Sequence, residues 1–157
     1  MPVKPVPEGY HTITPYLYVK GAAKAIDFYK AAFGAEEIMR FPAPDGRIAH
    51  AEIRIGDSPI MLADEHPEMD VLGPQSRGGT TAGFAVYVPD VDRRVAQAVA
   101  AGAKLVRPVQ NQFYGDRSGT LTDPFGHQWT LATHVEDVPP AEMERRMKTV
   151  KKDGSGC

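Results

Sequence analysis

The chain is poor in cysteine, in tryptophan, in long apolar runs and in excess charge. Of its 157 residues one is a cysteine, Cys157, at the last position. A single thiol forms no internal disulfide and has no partner thiolate for a structural zinc site, so packing must hold the fold together. No apolar stretch approaches the ~20 residues that a membrane-spanning helix needs, and no membrane partner is expected. The formal net charge is -2 and like charges never run beyond a few residues. Such a chain offers no electrostatic footprint for nucleic acid. The opening residues, MPVKPVPEG, are proline-rich and lack the apolar core of an export signal, so a cytoplasmic protein is expected. Phosphate loop, dinucleotide fingerprint and Ser-His-Asp order are all missing, and Gly78-Gly79 is an isolated pair with no helix pattern behind it.

What the chain does have is alternation. Hydrophobic residues make up 42% of it, enough for a packed core in one domain. After an extended arm (1–11), Ile13, Leu17 and Val19 alternate with Thr14, Tyr16 and Tyr18, as in a strand. Ala22, Ile26, Tyr29 and Phe33 then recur at helical spacing, and Gly34 ends that helix. Strands follow at 36–41, 47–55 and 59–63, separated by the turn signals Pro42-Ala43-Pro44-Asp45-Gly46 and Gly56-Asp57-Ser58. The polar stretch 65–81 reads as a linker or surface loop. The plan then recurs: a strand through Phe84, Val86 and Val88, an N-cap at Asp90, a helix ending at Gly102, and a strand at 104–109. A loop (110–117) leads into a hairpin at 118–134, turned by Asp123-Pro124-Phe125-Gly126. A charged helix (139–151) and a flexible tail (153–157) end the chain, and Cys157 is given no role.

The two halves share landmarks. Tyr18-Val19 answers Tyr87-Val88, and Gly34-Ala35 answers Gly102-Ala103, an offset of about seventy residues that indicates an internal duplication. The expected organisation is an arm (1–11), a first βαβββ module (12–64), a linker (65–81), a second βαβββ module (82–138) and a C-terminal helix with its tail (139–157).

That plan, the run AIDFY…FGAEE and the ending YGDRSG…DPFGHQWTLATHVEDV resemble the vicinal-oxygen-chelate superfamily, and within it the PhnB-like branch. Glyoxalase I, bleomycin-resistance proteins and extradiol dioxygenases belong to the same superfamily. The resemblance, over 11–138, implies an α+β fold whose two βαβββ modules form a curved mixed sheet around a cleft, with helices on the convex side. It also implies a ligand on the concave side and a homodimer. Alternation then assigns faces. Ile13, Leu17, Val19, Ala51, Ile53, Ile55, Ile60, Leu62, Phe84, Val86, Val88, Trp129 and Leu131 are expected against the helices, with Trp129 in the core. The cleft side receives Thr14, Tyr16, Tyr18, His50, Glu52, Arg54, Met61, Ala63, Gly83, Ala85, Tyr87, Gln128, Thr130 and Ala132.

Metal-dependent members of the superfamily hold a divalent ion with four ligands. Carried onto this sequence, those positions are Thr14, Met61, Gly83 and Thr130, a poor set of donors, so no metal and no cofactor is expected. His50 and Glu52, two apart on one strand, form the candidate catalytic pair: a general base and its orienter, or a hydrogen-bonded structural pair. With His134 or His127 they could instead hold zinc, and the acidic run at 64–68 could catch a cation or lie solvated. The candidate ligand-binding residues are Thr14, Tyr16, Tyr18, Met61, Tyr87, Tyr114, Asp116, Arg117, Gln128 and Thr130. Tyrosines stack on flat ligands, and Arg117 suits a carboxylate or phosphate. Two functions stay open: a metal-independent protein that sequesters a small aromatic or amphipathic molecule, or a lyase, isomerase or hydrolase working through His50 and Glu52, with or without a non-standard divalent metal.

Overall fold

A computed structural model describes residues 2–152 of the chain. The expectations for the 153–157 tail and Cys157 lie outside the described residues. The first half runs β1 (Tyr16–Val19), α1 (Ala22–Phe33), β2 (Glu36–Pro42), β3 (Ile48–Ile55) and β4 (Ser58–Asp64). The second runs β5 (Gly83–Tyr87), α3 (Val91–Ala101), β6 (Lys104–Asn111), β7 (Asp116–Thr122) and β8 (Gln128–His134). Between them lies a short helix, α2 (Pro74–Arg77), and α4 (Pro140–Lys152) follows the second half. Each half is a four-stranded mixed sheet, ordered β1-β4-β3-β2 and β5-β8-β7-β6, with one parallel pair, β1 with β4 or β5 with β8. This is the expected α+β arrangement of two βαβββ modules.

The helices begin by one device used twice. The carboxylate of Asp64, at the end of β4, accepts from the amides of Gly21 (2.9 Å) and Ala22 (2.8 Å), so the last strand of the module caps its helix. In the second module Thr133 stands at the end of β8, where its hydroxyl accepts from the amide of Val91 (2.9 Å) and donates to the carbonyl of Val88 (2.7 Å). Asp90 adds a local cap by accepting from the Arg93 amide. At its far end α1 closes on Gly34 in the left-handed region, φ 67°, which a residue without Cβ adopts at little cost.

One core serves both modules. Leu17, Val19, Ile53 and Leu62 from the first sheet, Leu121, Trp129 and Leu131 from the second, and the inner faces of α1 and α3 form a single buried cluster. Phe84, Val86 and Val88 are only partly buried against it. The helix α1 packs on α3 and on its own sheet, which is why Ala22, Ala25, Ile26, Phe28, Tyr29, Ala32 and Phe33 are all buried.

The joint is the turn between β7 and β8. Asp123 is 4% exposed, and its carboxylate accepts four hydrogen bonds. Two come from the turn's own amides, Phe125 (2.8 Å) and His127 (3.0 Å), and two from the Tyr29 hydroxyl of α1 (2.6 Å) and the Trp129 indole (2.9 Å). His127 then reaches the Tyr18 carbonyl of β1 at 3.0 Å, and Gln75 of α2 donates to the Pro124 carbonyl. The turn that closes the second sheet is therefore seated on the first module.

Several expectations change. Ile13 is 84% exposed rather than core, because β1 begins only at Tyr16. Pro15 has no amide to donate, and its carbonyl accepts from Met61. The loop expected at 110–117 shrinks to four residues between β6 and β7. The 65–81 stretch is folded: it carries a 3-10 turn (Pro67–Met69) and α2, and Glu65 accepts from the amide of Gly73. Most consequential for function, the two sheets share no ladder. Each turns one face to the common core, and a cavity of about 450 Å³ lies between the modules, lined by residues of both such as Ile13, Ile60, Phe84 and Tyr87.

Candidate functional site

Cross-strand register defines the open face of the first sheet. Tyr16 lies opposite Met61, Met61 opposite Glu52, and Glu52 opposite Met39. In the next row Tyr18 faces Ala63, and His50 faces Phe41. Residues paired across strands share a face, so these side chains form one surface. It is aromatic and exposed: Tyr16 is 39%, Tyr18 37% and Phe41 57% exposed. Tyr16 packs on Tyr18 with ring centres 5.1 Å apart and on His50 at 5.4 Å, while Phe41 stacks against His50 from the other side.

A chain of hydrogen bonds runs through this surface. The Tyr16 hydroxyl meets Nδ1 of His50 at 2.7 Å, and Nε2 of His50 meets the Glu52 carboxylate at 3.0 Å. Glu52 is buried and is also held by the hydroxyl of Tyr10, from the N-terminal arm. Both ring nitrogens of His50 are thus engaged, one by Tyr16 and one by Glu52. Partial burial, with Tyr18 adding to it, raises the Tyr16 hydroxyl above the ordinary tyrosine pKa.

The second sheet's open face differs in kind. Its rows are Gly83, Gln128, Thr122 and Lys104; Ala85, Thr130, Thr120 and Arg107; and Tyr87, Ala132, Ser118 and Gln110. Thr120 and Thr130 share a hydrogen bond of 3.0 Å. A cavity of about 590 Å³ opens over these hydroxyls, walled by Gln112, Phe113 and Tyr114 of the β6–β7 loop and by Val150 of α4. At the edge of this face Asp116 accepts from Tyr87 (2.8 Å) and pairs with Nδ1 of His134 (2.8 Å), whose Nε2 reaches Asp137 at 2.7 Å. The bonds to Asp116 and then Asp137 hold His134 above the usual histidine pKa, and the bond to Asp116 raises Tyr87.

The predicted residues therefore fall into two groups. Tyr16, Tyr18, Met61, His50 and Glu52 lie together, as do Tyr114 and Thr130, with Tyr87 and Asp116 at the margin of the second group; Gln128 shares the sheet face but does not line the cavity. One chain does not bring the groups to each other. Thr14 precedes β1. Arg117 is on the opposite face of β7, where Asp92 of α3 holds its guanidinium with two contacts (2.8 and 2.9 Å), so it is not part of the cavity. His134 lies on the second sheet; His127 sits in the joint and lines a cavity with Tyr16 and Tyr18, yet among the described residues neither joins His50 and Glu52 in a cluster of three metal donors. In the acidic run, Asp64 and Glu65 are taken up by backbone amides.

Sequence reading missed Tyr10, Met39, Phe41, Arg107, Ser118 and Thr120. Alternation along β2 and β7 would have given Phe41, Ser118 and Thr120. Arg107 is masked by register shifts on both sides of it, and Tyr10 meets its partner across 42 residues of chain.

Two sheets of four strands built on repeated βαβββ modules define a class of protein, and the family comparison places the chain in it. The chain belongs to the Glyoxalase/Bleomycin resistance protein/Dioxygenase superfamily, whose family model matches residues 9–131. It is 41% identical over 140 residues to the uncharacterized protein Rv0887c of Mycobacterium tuberculosis, covering 87% of this chain and 82% of that one. Among solved structures it is similar to TioX from Micromonospora sp. ML1, with 29% identity, a TM-score of 0.63, and coverage of 80% and 99%. A PhnB protein from Bacillus cereus shares the fold at 18% identity and TM-score 0.61, over 78% of this chain and 99% of that one.

The family raises the question of a divalent metal, and the residues at the four carried-over positions do not suit one. Gly83 has no side chain, Met61 offers only a thioether, and the hydroxyl of Thr130 is bonded to Thr120. Among the described residues no three His, Cys, Asp or Glu side chains are grouped as a metal ion requires. Among the same residues no helix is long and apolar enough to cross a membrane.

Proposed function

We propose that this cytoplasmic protein binds a small aromatic or amphipathic molecule without a metal, for sequestration or resistance, in clefts formed where two copies meet. One observation carries the proposal, the exposed aromatic face of Tyr16, Tyr18, Phe41 and His50. A cluster of half-exposed rings on a rigid sheet is surface that a flat ligand can cover favourably. The unlike open faces support pairing, because an aromatic wall from one copy and a hydroxyl-lined floor from another make a cavity that neither makes alone. Among the described residues both β1 and β5 lie at sheet edges, free of a second strand neighbour.

The test is a thermal-shift screen of aromatic antibiotics and metabolites, followed by titration of any hit. Tyr16→Ala is expected to remove about 1 kcal/mol of stacking, roughly a five-fold rise in Kd. A broad panel without a stabilising compound, or a hit indifferent to Tyr16 and Phe41, overturns the proposal. Sedimentation of the free protein as a monomer at all concentrations overturns the paired cleft.

The Tyr16–His50–Glu52 chain favours a second function, a lyase or isomerase. In it Tyr16 would take a substrate proton as its own passes to His50 and from His50 to Glu52. His50→Ala should then abolish turnover and only weaken binding. An unchanged rate would remove His50 from the mechanism.

A further inference from the structure

We infer that the open face of the second sheet is an oxyanion subsite, which takes a carboxylate, phosphate or phosphonate group of the ligand on Arg107 and the hydroxyls of Ser118, Thr120 and Thr130. The inference rests on the binding function proposed above for the rest of the ligand, and adds the chemical class that the second half of the cleft selects.

The composition of the cavity is one-sided. Among the described residues its lining holds one cation, Arg107, no Asp or Glu, the hydroxyls just named with that of Tyr114, and the carboxamides of Gln110, Asn111 and Gln112. These groups can donate hydrogen bonds, and a guanidinium has no acceptor at all. Among the described residues Arg107 makes no ion pair, whereas Arg117, Arg145 and Arg146 each hold a carboxylate. The carboxylate nearest along β7, Asp116, is turned to Tyr87 and His134. An unneutralised guanidinium over buried hydroxyls attracts an anion, and its planar fork fits two oxygens of a carboxylate or phosphate.

The strand geometry is suited to that role. Register shifts lie on both sides of Arg107, between Leu105 and Arg107 and between Arg107 and Gln110, so β6 spends extra residues opposite a regular β7. Bulges of this kind re-aim a side chain. Here they leave Arg107 opposite Thr120, a residue 6% exposed whose hydroxyl is bonded to Thr130 on the cavity floor. The floor is rigid, because Ser118, Thr120 and Thr130 sit in the paired strands β7 and β8.

Benzoate, phenyl phosphate and the neutral benzamide are titrated into the full-length protein, with binding read from backbone amide resonances. Both anions should shift the amides of 118–120 and 130 and bind at least ten-fold more tightly than benzamide; whichever binds better separates a carboxylate site from a phosphate site. Arg107→Gln should cost at least ten-fold for the anions and leave benzamide unchanged, and raised salt should weaken only the anions. Equal binding of benzamide and benzoate, or Arg107→Gln within two-fold of the parent, overturns the subsite. Tyr16→Ala keeps the two proposals apart: loss of benzamide and anions alike speaks for the aromatic wall, whatever the charge of the probe. Failure of every probe to bind at millimolar concentration counts against both.

Discussion

Removing the Asp123 carboxylate should loosen the two modules from each other. Asp123→Ala deletes an acceptor shared by four donors in a site that is 4% exposed, leaving the Tyr29 hydroxyl, the Trp129 indole and two turn amides to find new partners. A hydrogen bond to a charged group contributes about 1.5–3 kcal/mol, but four on one carboxylate do not add, since the turn amides can recover water. Breaking a buried network by deleting one partner costs on the order of 3–5 kcal/mol, and that is the expected loss. Tyr29→Phe should cost only about 1 kcal/mol, because it removes a donor and strands nothing. Asp123→Asn should fall between, since its amide must face either the indole N–H or the turn amides, donor against donor. Urea unfolding read from Trp129, the chain's one tryptophan, at fixed protein concentration measures all three. An Asp123→Ala loss below about 1 kcal/mol would refute the joint, and if that variant fails to fold, the order of the other two decides.

Two further outcomes follow from the C-terminal contacts. Bonds to Asp116 and Asp137 raise the His134 pKa in the folded state, so its contribution to stability is full below the unfolded histidine value and lost as pH rises through the raised one. A Tm series across that window should therefore fall more steeply for the parent than for His134→Gln, and parallel curves would show that the pairing is not felt. Gly115 has φ +104°, and a Cβ there would sit 2.1 Å from the Glu136 carbonyl oxygen. Gly115→Ala should cost about 2 kcal/mol or more and speed hydrogen exchange at Val135 and Glu136, whose amides bond to the Gly115 carbonyl; unchanged exchange would contradict this contact.

The elements were readable because their signals are local. Ile26, Tyr29 and Phe33 announce α1 by spacing, and Ala51, Ile53 and Ile55 announce β3 by alternation, with all six buried. Alternation also gives the His50–Glu52 pair and its neighbour Tyr16, because two-residue periodicity fixes which side chains share a face. What it cannot give is how the faces are disposed in space. The turn 123–126 was legible as a turn, but that its aspartate would reach Tyr29, 94 residues away, is a matter of tertiary packing. Arg107 and Arg117 are misjudged from sequence for a similar reason: bulges in β6 break the strict count that would have located Arg107 on the open face, and Asp92 of α3 claims Arg117.

The back-to-back joint makes each chain a tile with unlike edges. On the pairing proposed above, the aromatic face of one sheet and the hydroxyl-lined face of the other would meet between different molecules, and contact of unlike surfaces is head-to-tail. Such a contact closes if two molecules exchange both halves at once, and otherwise propagates into an open chain. Which outcome prevails is governed by the angle at which the sheets are set about their shared core. Under that pairing, the Asp123 carboxylate, which holds a tyrosine and a tryptophan in register, would help decide how many molecules an assembly contains.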